Sequence, residues 1–483
     1  MSIYMLYFRR STSLLLVLCW LLACGGDAPS SDSSSAGPTD APPNIIFLLA
    51  DDMRQDMMSF VGNPIMQTPK LDQLARAGIY FNNAFVTTAI CSVSRASIMS
   101  GQHARRHGLW WFGRPFSPEA WQETYPMQLQ QAGYKIGFIG KYGLGNYSVA
   151  AEDFDYWAGF DGQGQYVHQD ETGNYLHLTR LMGNQMVDFL DQYGQSDAPF
   201  ALSVSFKAPH CQDGELGDKI FPADSAYLDL YRDLEWVKPA QARLTGVHST
   251  QFRADNEAII RHDIRFSDPA TRAESYGGYH RLVHGIDVQV GRLMEELEAR
   301  DLADNTIIVF TSDHGFFLEE YGFGGKWFGH EPSVRIPLII YDPRPTAPKG
   351  IKINEMALNI DLAPTLLAMA GLEPPSAMQG YPLTLTYEGS GPENWRQDFF
   401  YEHIMPPPTE VPVFLPSTQG VISLENKYLE YYTGWTVEEV YDPELYDLLQ
   451  DPLEMNNLAN SADQVQLRDQ LYARMLELKK EAE

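Results

Sequence analysis

Cysteine is scarce. The chain has four in 483 residues, so it is held by a packed core and not by a disulfide framework. Positive charge is scarce too: 35 Lys and Arg face 63 Asp and Glu, for a formal net charge of -28. That balance, with no basic patch in view, excludes a nucleic-acid binder. No apolar run reaches the roughly 20 residues needed to cross a bilayer. There is no internal repeat, and biased composition is confined to residues 25–43 and a Pro-rich loop at 405–412. What remains is an ordinary folded composition, long enough for one large domain and a smaller one.

The N-terminus reads as an export signal, with Arg9 and Arg10 ahead of the apolar residues 14–23. Leu21-Leu22-Ala23-Cys24 resembles a bacterial lipoprotein signal, in which Cys24 becomes the lipidated first residue of the mature chain. Residues 1–23 are then the signal and residues 24–43 a flexible tether too poor in apolar surface to fold. The expected location is the periplasmic or outer face of a bacterial membrane, with the lipid as the only membrane contact. An ordinary secretory signal cleaved near Ala23 is the simpler alternative. With Cys19 and Cys24 set aside, Cys91 and Cys211 remain, and in an oxidising compartment a disulfide between them is the structural alternative to a chemical role for Cys91.

From Asn44 the chain alternates strand and helix. Residues 44–50 and 306–312 are continuous apolar runs suited to strands buried on both faces, and each ends in acid: Asp51-Asp52 and Asp313-His314. Further strands fit 135–139, 200–206 and 337–341, and helices fit 69–78, 125–133 and 281–300. This is an α/β pattern: a mostly parallel sheet sandwiched by helices over residues 44–380, followed by a smaller α+β domain over 381–483 with a helical tail from Ala462. Ligands of such sheets bind beyond the carboxyl ends of the strands, where both acidic clusters lie.

Three carboxylates at adjacent strand ends repel one another unless a cation sits among them, and oxygen donors suit calcium or magnesium. Each Asp capping a turn is the structural alternative. The segment from Cys91 to Gly101 follows a strand-like run and has helical periodicity. Cys91 would therefore sit at a helix N-terminus, where anions are favoured, with Arg95 offering a fork of donors matched to a tetrahedral oxyanion.

Together these segments resemble the type I, formylglycine-dependent sulfatases of the alkaline phosphatase superfamily. The match runs in order through Asp51-Asp52, Cys91-x-x-Ser94-Arg95, Gly140-Lys141, Pro209-His210, Asp313-His314-Gly315, Lys326, Glu331-x-x-x-Arg335-x-Pro337-Leu338, Leu445-Tyr446-Asp447-Leu448 and Asp451-Pro452. The resemblance implies an alkaline phosphatase-like fold and a sulfuric ester hydrolase. A formylglycine-generating enzyme would oxidise Cys91 to formylglycine, whose hydrate attacks sulfur and later expels sulfate as the aldehyde reforms. It further implies Asp51, Asp52, Asp313, His314 and the modified Cys91 as ligands of one divalent cation, most simply Ca2+. Lys141 and Lys326 would bind sulfate and the hydrate, with Arg95 in support, and His210 would bind sulfate or protonate the departing oxygen.

Two departures stand out: Val93 where many members have Pro, and Gly143 where many have the His of Gly-Lys-x-His. The base that ejects sulfate is thus unassigned, with His103, His107 and His168 as candidates. The expected substrate is a sulfated glycan, against which Trp110, Trp111, Phe112, Trp157, Tyr166, Trp327, Phe328 and His330 could stack. Two other readings compete. One is a phosphomonoester or phosphonate hydrolase of the same superfamily, which the lack of any Asp-x-x-x-His disfavours. The other is a lipoprotein that binds sulfated glycan without turnover.

Overall fold

In the computed structural model the apolar run at 44–50 forms strand β1 (Asn44–Asp51), and its alternating side chains separate two cores. Ile45, Phe47 and Leu49 enter one; Ile46, Leu48 and Ala50 enter the other. The structure describes residues 41–145, 148–212, 220–244, 255–387, 391–405, 414–434, 437 and 440–483. The signal, nearly all of the tether and most of the Pro-rich loop lie outside the described residues. No described helix is long and apolar enough to cross a membrane.

The other strands of the main sheet are β2 (Ile79–Phe81), β3 (Lys135–Lys141), β4 (Tyr156–Phe160), β5 (Phe200–Pro209), β6 (Thr306–Ser312), β7 (Leu338–Tyr341) and β8 (Ile351–Ile353). Their spatial order is β8-β2-β7-β6-β1-β5-β3-β4. All neighbours pair in parallel except around β7, which is antiparallel to both β2 and β6. The sheet is therefore mostly parallel, as the strand-helix alternation predicts. The one reversal is at β7, which follows β6 after the long segment 313–337 and lies between β6 and β2.

Helices cover both faces. Against the core fed by Phe47 lie α2 (Cys91–Ser100), α3 (Tyr125–Gln131) and α7 (Leu362–Met369). Against the opposite core lie α1 (Pro69–Ala77), α4 (Leu178–Tyr193) and α6 (Pro269–Ala299). Helix α6 begins twelve residues before the expected start at 281. Asp268 caps it by accepting from Ala270 N and Thr271 N, and Pro269 opens it, a start signal hidden by the Gly277-Gly278 pair that follows. Between β5 and α6 comes α5 (Glu257–Phe266), which the sequence reading did not anticipate.

Residues 41–483 form one compact unit. Its C-terminal part is an antiparallel sheet of β9 (Asp398–His403), β10 (Ser417–Ser423), β11 (Asn426–Tyr432) and β12 (Tyr441–Asp447). One face, through Phe399, Tyr401, Leu429 and Tyr431, joins the main core. The other, through Phe400, Val421, Tyr428 and Leu445, packs on helix α8 (Val465–Glu481). This is the expected helical tail and α+β character.

Candidate active site

The carboxyl ends of β1 and β6 meet because the strands pair in register up to Ala50 and Ser312. Asp52 N donates to Asp313 Oδ1 at 3.1 Å, and Asp313 N to Ala50 O at 3.0 Å. Asp52 adopts φ 70°, a left-handed conformation that costs a non-glycine residue and persists at sites where the surroundings over-determine it. Helix α2 brings Cys91 and Arg95 to the same place, and all ten of its residues are buried. Ser94 Oγ donates to Asp313 O at 2.5 Å, which fixes the helix on the end of β6.

Cys91 Sγ stands 3.4 Å from Asp51 Oδ1, 3.3 Å from His314 Nε2 and 3.0 Å from Lys326 Nζ. Lys326 also donates to Asp52 Oδ1 at 2.7 Å. Lys141, at the end of β3, donates to Asp51 Oδ2 and, at 2.7 Å, to Gln163 Oε1. The Arg95 fork is turned inward: its Nε is 3.0 Å and its Nη2 2.9 Å from Asp313 Oδ2, while Nη1 donates to Lys141 O and Ser205 Oγ. His210 Nδ1 lies 2.8 Å from Cys211 O, which leaves Nε2 directed to Asp52 Oδ2 at 3.7 Å. All nine residues expected at the site are thus brought together. Cys91 and Cys211 are not joined by a disulfide, so that alternative does not hold.

Burial pushes the Asp51 carboxyl up, but Lys141, His210, Arg95 and Lys326 outweigh it and hold it well below the usual range. Asp52 is likewise lowered, burial being outweighed chiefly by Lys326, with His210 and His314 adding. Burial lowers Lys326, yet Asp52, Cys91 and Asp51 drive it well above the usual lysine range. Asp51, Asp52 and Asp313 therefore face Arg95, Lys141 and Lys326, three charges against three.

The donor set fits a divalent cation. Single ligand atoms of Asp51, Cys91, Asp313 and His314 lie within 4.8 Å of one another, as do those of Asp51, Asp52, Cys91 and His210. Asp52 Oδ2 is buried and accepts no hydrogen bond among the described residues. Such an oxygen costs free energy unless something positive meets it. Adding a divalent cation would tip the balanced cluster to net positive, the sign an oxyanion ester requires.

A cleft of about 190 Å³ opens over the cluster, with Asp52, His210 and Lys326 in its wall beside Trp111, Phe112 and Trp327. Of the aromatic candidates only those three reach it. Trp157 stacks on Phe138, Tyr166 is buried under Lys207, Phe328 is buried against Phe323, and His330 pairs with Glu444 at 2.9 Å. Trp110 packs on the core.

The three histidines considered as bases lie elsewhere. Burial holds His103 at about 4 and His107 at about 3; His107 bonds Ser97 Oγ, and His168 bonds Gln165 O on a hairpin. Gly143 has φ +77°, and a Cβ there would meet Arg95 Cδ at 2.9 Å, so Arg95 occupies the space that a side chain at that position would need. Sequence reasoning missed Gln163, Glu257, Arg261 and Arg265, which also line the cleft. The amphipathic run 257–266 behind Asn256 was the available signal.

A mostly parallel α/β sheet with an acidic cluster at its strand ends and a buried cysteine at the start of a helix beside it defines an alkaline phosphatase-like fold. The sulfatase family model matches residues 43–372, and the chain belongs to that family. A model for the C-terminal region of N-sulphoglucosamine sulphohydrolase matches residues 319–481. The chain is 30% identical to the N-acetylglucosamine-6-O-sulfatase of Bacteroides thetaiotaomicron, over 91% of this chain and 86% of that protein. It superposes with TM-score 0.77 and 25% identity on a protein solved in complex with its substrate D-glucosamine-2-N,6-O-disulfate, over 91% of this chain and 98% of the other. The phosphonate monoester hydrolase of Agrobacterium radiobacter shares the fold, at TM-score 0.71 and 20% identity, over 91% and 96%.

Proposed function

We propose that this sulfatase removes a sulfate ester from a sulfated carbohydrate, with Cys91 converted to formylglycine and one divalent cation, Ca2+ by choice of donors, bound by Asp51, Asp52, Asp313 and His314. The observation that carries this reading is the position of Cys91 Sγ, in contact with Asp51, His314 and Lys326 directly behind a cleft with aromatic walls. The names of the relatives make a 6-O-sulfated amino sugar the first substrate to test.

The formylglycine hydrate would supply the attacking hydroxyl, and the cation Lewis-acid polarisation of the ester. The chain's own groups do the rest. Lys326 reaches both the nucleophile position and Asp52, so its ammonium holds the hydroxyl and offsets charge that develops on sulfate oxygens. Lys141 balances Asp51 and keeps Gln163 at the cleft wall. Arg95 orients Asp313 and the end of β3 and does not face the ester. His210, held through Nδ1, lines the cleft, and in its imidazolium form Nε2–H would give a proton to the departing sugar oxygen.

The cationic Arg9-Arg10, apolar 14–23 and Cys24 pattern supports export and lipid anchoring, and maturation would require a formylglycine-generating enzyme. The test is sulfate release from 6-sulfated N-acetylglucosamine, run beside the matching phosphate monoester and with chelator. Release from the sulfate ester that chelation stops and Ca2+ restores supports the reading. Turnover of only the phosphate ester, or of neither, refutes it.

A further inference from the structure

Helix α5 is clamped between the two segments that carry Lys326 and His210. Gly324 lets it approach the Lys326 segment: a Cβ there would lie 2.9 Å from His262 Cα and 2.9 Å from His262 N. Arg265, buried, donates to Gly324 O at 3.2 Å on one side and to Cys211 Sγ at 2.9 Å on the other. At the helix start Glu257 N donates to Phe414 O at 2.9 Å. Glu257, Arg261 and Arg265 are spaced one turn apart, so they share one face, and all three line the cleft.

Arg265 anchors this face, whereas Arg261 and Glu257 keep 29% and 15% of their side-chain surface exposed. They pair at 2.5 Å, Arg261 Nε to Glu257 Oε1, and the guanidinium lies 5.7 Å from the centre of the Trp327 ring. Trp327 has φ +88°, a conformation unfavourable for a bulky residue. Its backbone is held there by Ala89 O, which accepts from Trp327 N at 3.2 Å, and by Tyr401 OH, which donates to Trp327 O at 2.7 Å. The Trp327 ring, largely buried, thus stands in the cleft wall next to Lys326, beside the Glu257–Arg261 pair.

We propose that α5 is the element that reads the sugar, with the Glu257–Arg261 pair bonding two neighbouring hydroxyl groups of the ring whose sulfate is removed and Trp327 packing on that ring. Glu257 lies 2.5 Å from Arg261, so a second sulfate placed against the pair would meet a carboxylate. A carboxylate that accepts beside a guanidinium that donates suits an uncharged diol. Neither residue touches Cys91 or the aspartates in this structure, so their effect falls on substrate choice and not on the chemical step. The assignment rests on the sulfatase reading above.

The experiment compares kcat/KM for 6-sulfated N-acetylglucosamine and for 4-nitrophenyl sulfate, which has no hydroxyls, in the wild type, Arg261→Ala, Glu257→Ala and Arg261→Lys. The alanine variants are expected to lose about 10- to 100-fold on the sugar, mainly through KM, and to stay within about twofold of wild type on the aryl ester. Arg261→Lys keeps the charge but loses the fork, and is expected to show a smaller loss with the same selectivity. Equal losses on both esters, or no loss on the sugar, overturn the proposal. So does a second sulfate on the sugar that raises kcat/KM in the wild type but not in Arg261→Ala. A wild type inactive on both esters would sink the sulfatase reading itself and this one with it.

Discussion

Lys326 and Lys427 are both buried among carboxylates, and they do different work. Lys427, on β11, donates to Glu454 Oε1 at 2.6 Å and Glu331 Oε1 at 3.0 Å. Glu454 Oε2 in turn accepts from Glu331 N and Tyr321 OH. Glu331 and Glu454 border a separate cleft of about 180 Å³, but the cluster's buried oxygens are paired, and it ties the C-terminal sheet to the segment after Lys326. Lys326 has similar partners and its cluster also borders a cleft, but it leaves Asp52 Oδ2 without a hydrogen bond among the described residues and includes a thiol. A buried charge is weak evidence for function when every partner is satisfied; an incomplete cluster facing a cleft is much stronger evidence.

The sharpest contrast comes from chemistry against stability. Cys91→Ala is expected to cost on the order of 10⁴-fold or more in kcat/KM while the urea midpoint stays near wild type, measured by steady-state assay and denaturation. Lys427→Met is expected to do the reverse. Leaving Glu331 and Glu454 without their cation should destabilise by about 3–5 kcal/mol in urea, with kcat of the folded enzyme unchanged. Lys326→Met should lower kcat/KM by about 10²–10³-fold, the loss of one oriented donor. A large kcat loss in Lys427→Met would erase the distinction between the two clusters.

Acid separates them further. Asp51 and Asp52 have carboxyls lowered in the fold, so the stability they contribute is present above the unfolded value near 3.8 and is lost as pH falls below it toward the folded values. Thermal melts should therefore hold at mildly acidic pH and fall below about pH 4. Asp51→Asn should flatten part of that fall.

The smallest effect is expected at Asp287, which burial pushes up to about 7 although it accepts from Lys70 N and Leu71 N at the start of α1. A raised carboxyl costs stability increasingly from about pH 4 up to its folded value. Asp287→Asn keeps the acceptor, so it should raise the melting temperature slightly above pH 7 and leave it unchanged near pH 4.

Much of this was legible in the chain itself. The runs at 44–50 and 306–312 are too apolar for anything but strands covered on both faces, and the acids that end them could only converge at the carboxyl edge of a parallel sheet. Cys91 and Arg95 followed from one helix turn. What stayed hidden depends on neighbours distant in sequence. The reversal of β7 is set by pairing with β2 and β6, and the place of Glu257, Arg261 and Gln163 by how α5 and the 162–164 turn dock on the site. The inward turn of Arg95 could not be read from a pattern, because only the fold shows Asp313, Ser205 and the Lys141 carbonyl waiting for its donors.

The most direct measurement is mass spectrometry of the peptide containing Cys91, from protein made in a host that converts such cysteines. The account predicts the aldehyde in place of the thiol, trapped as a hydrazone, in protein that releases sulfate. Active protein whose residue 91 is entirely thiol would contradict it.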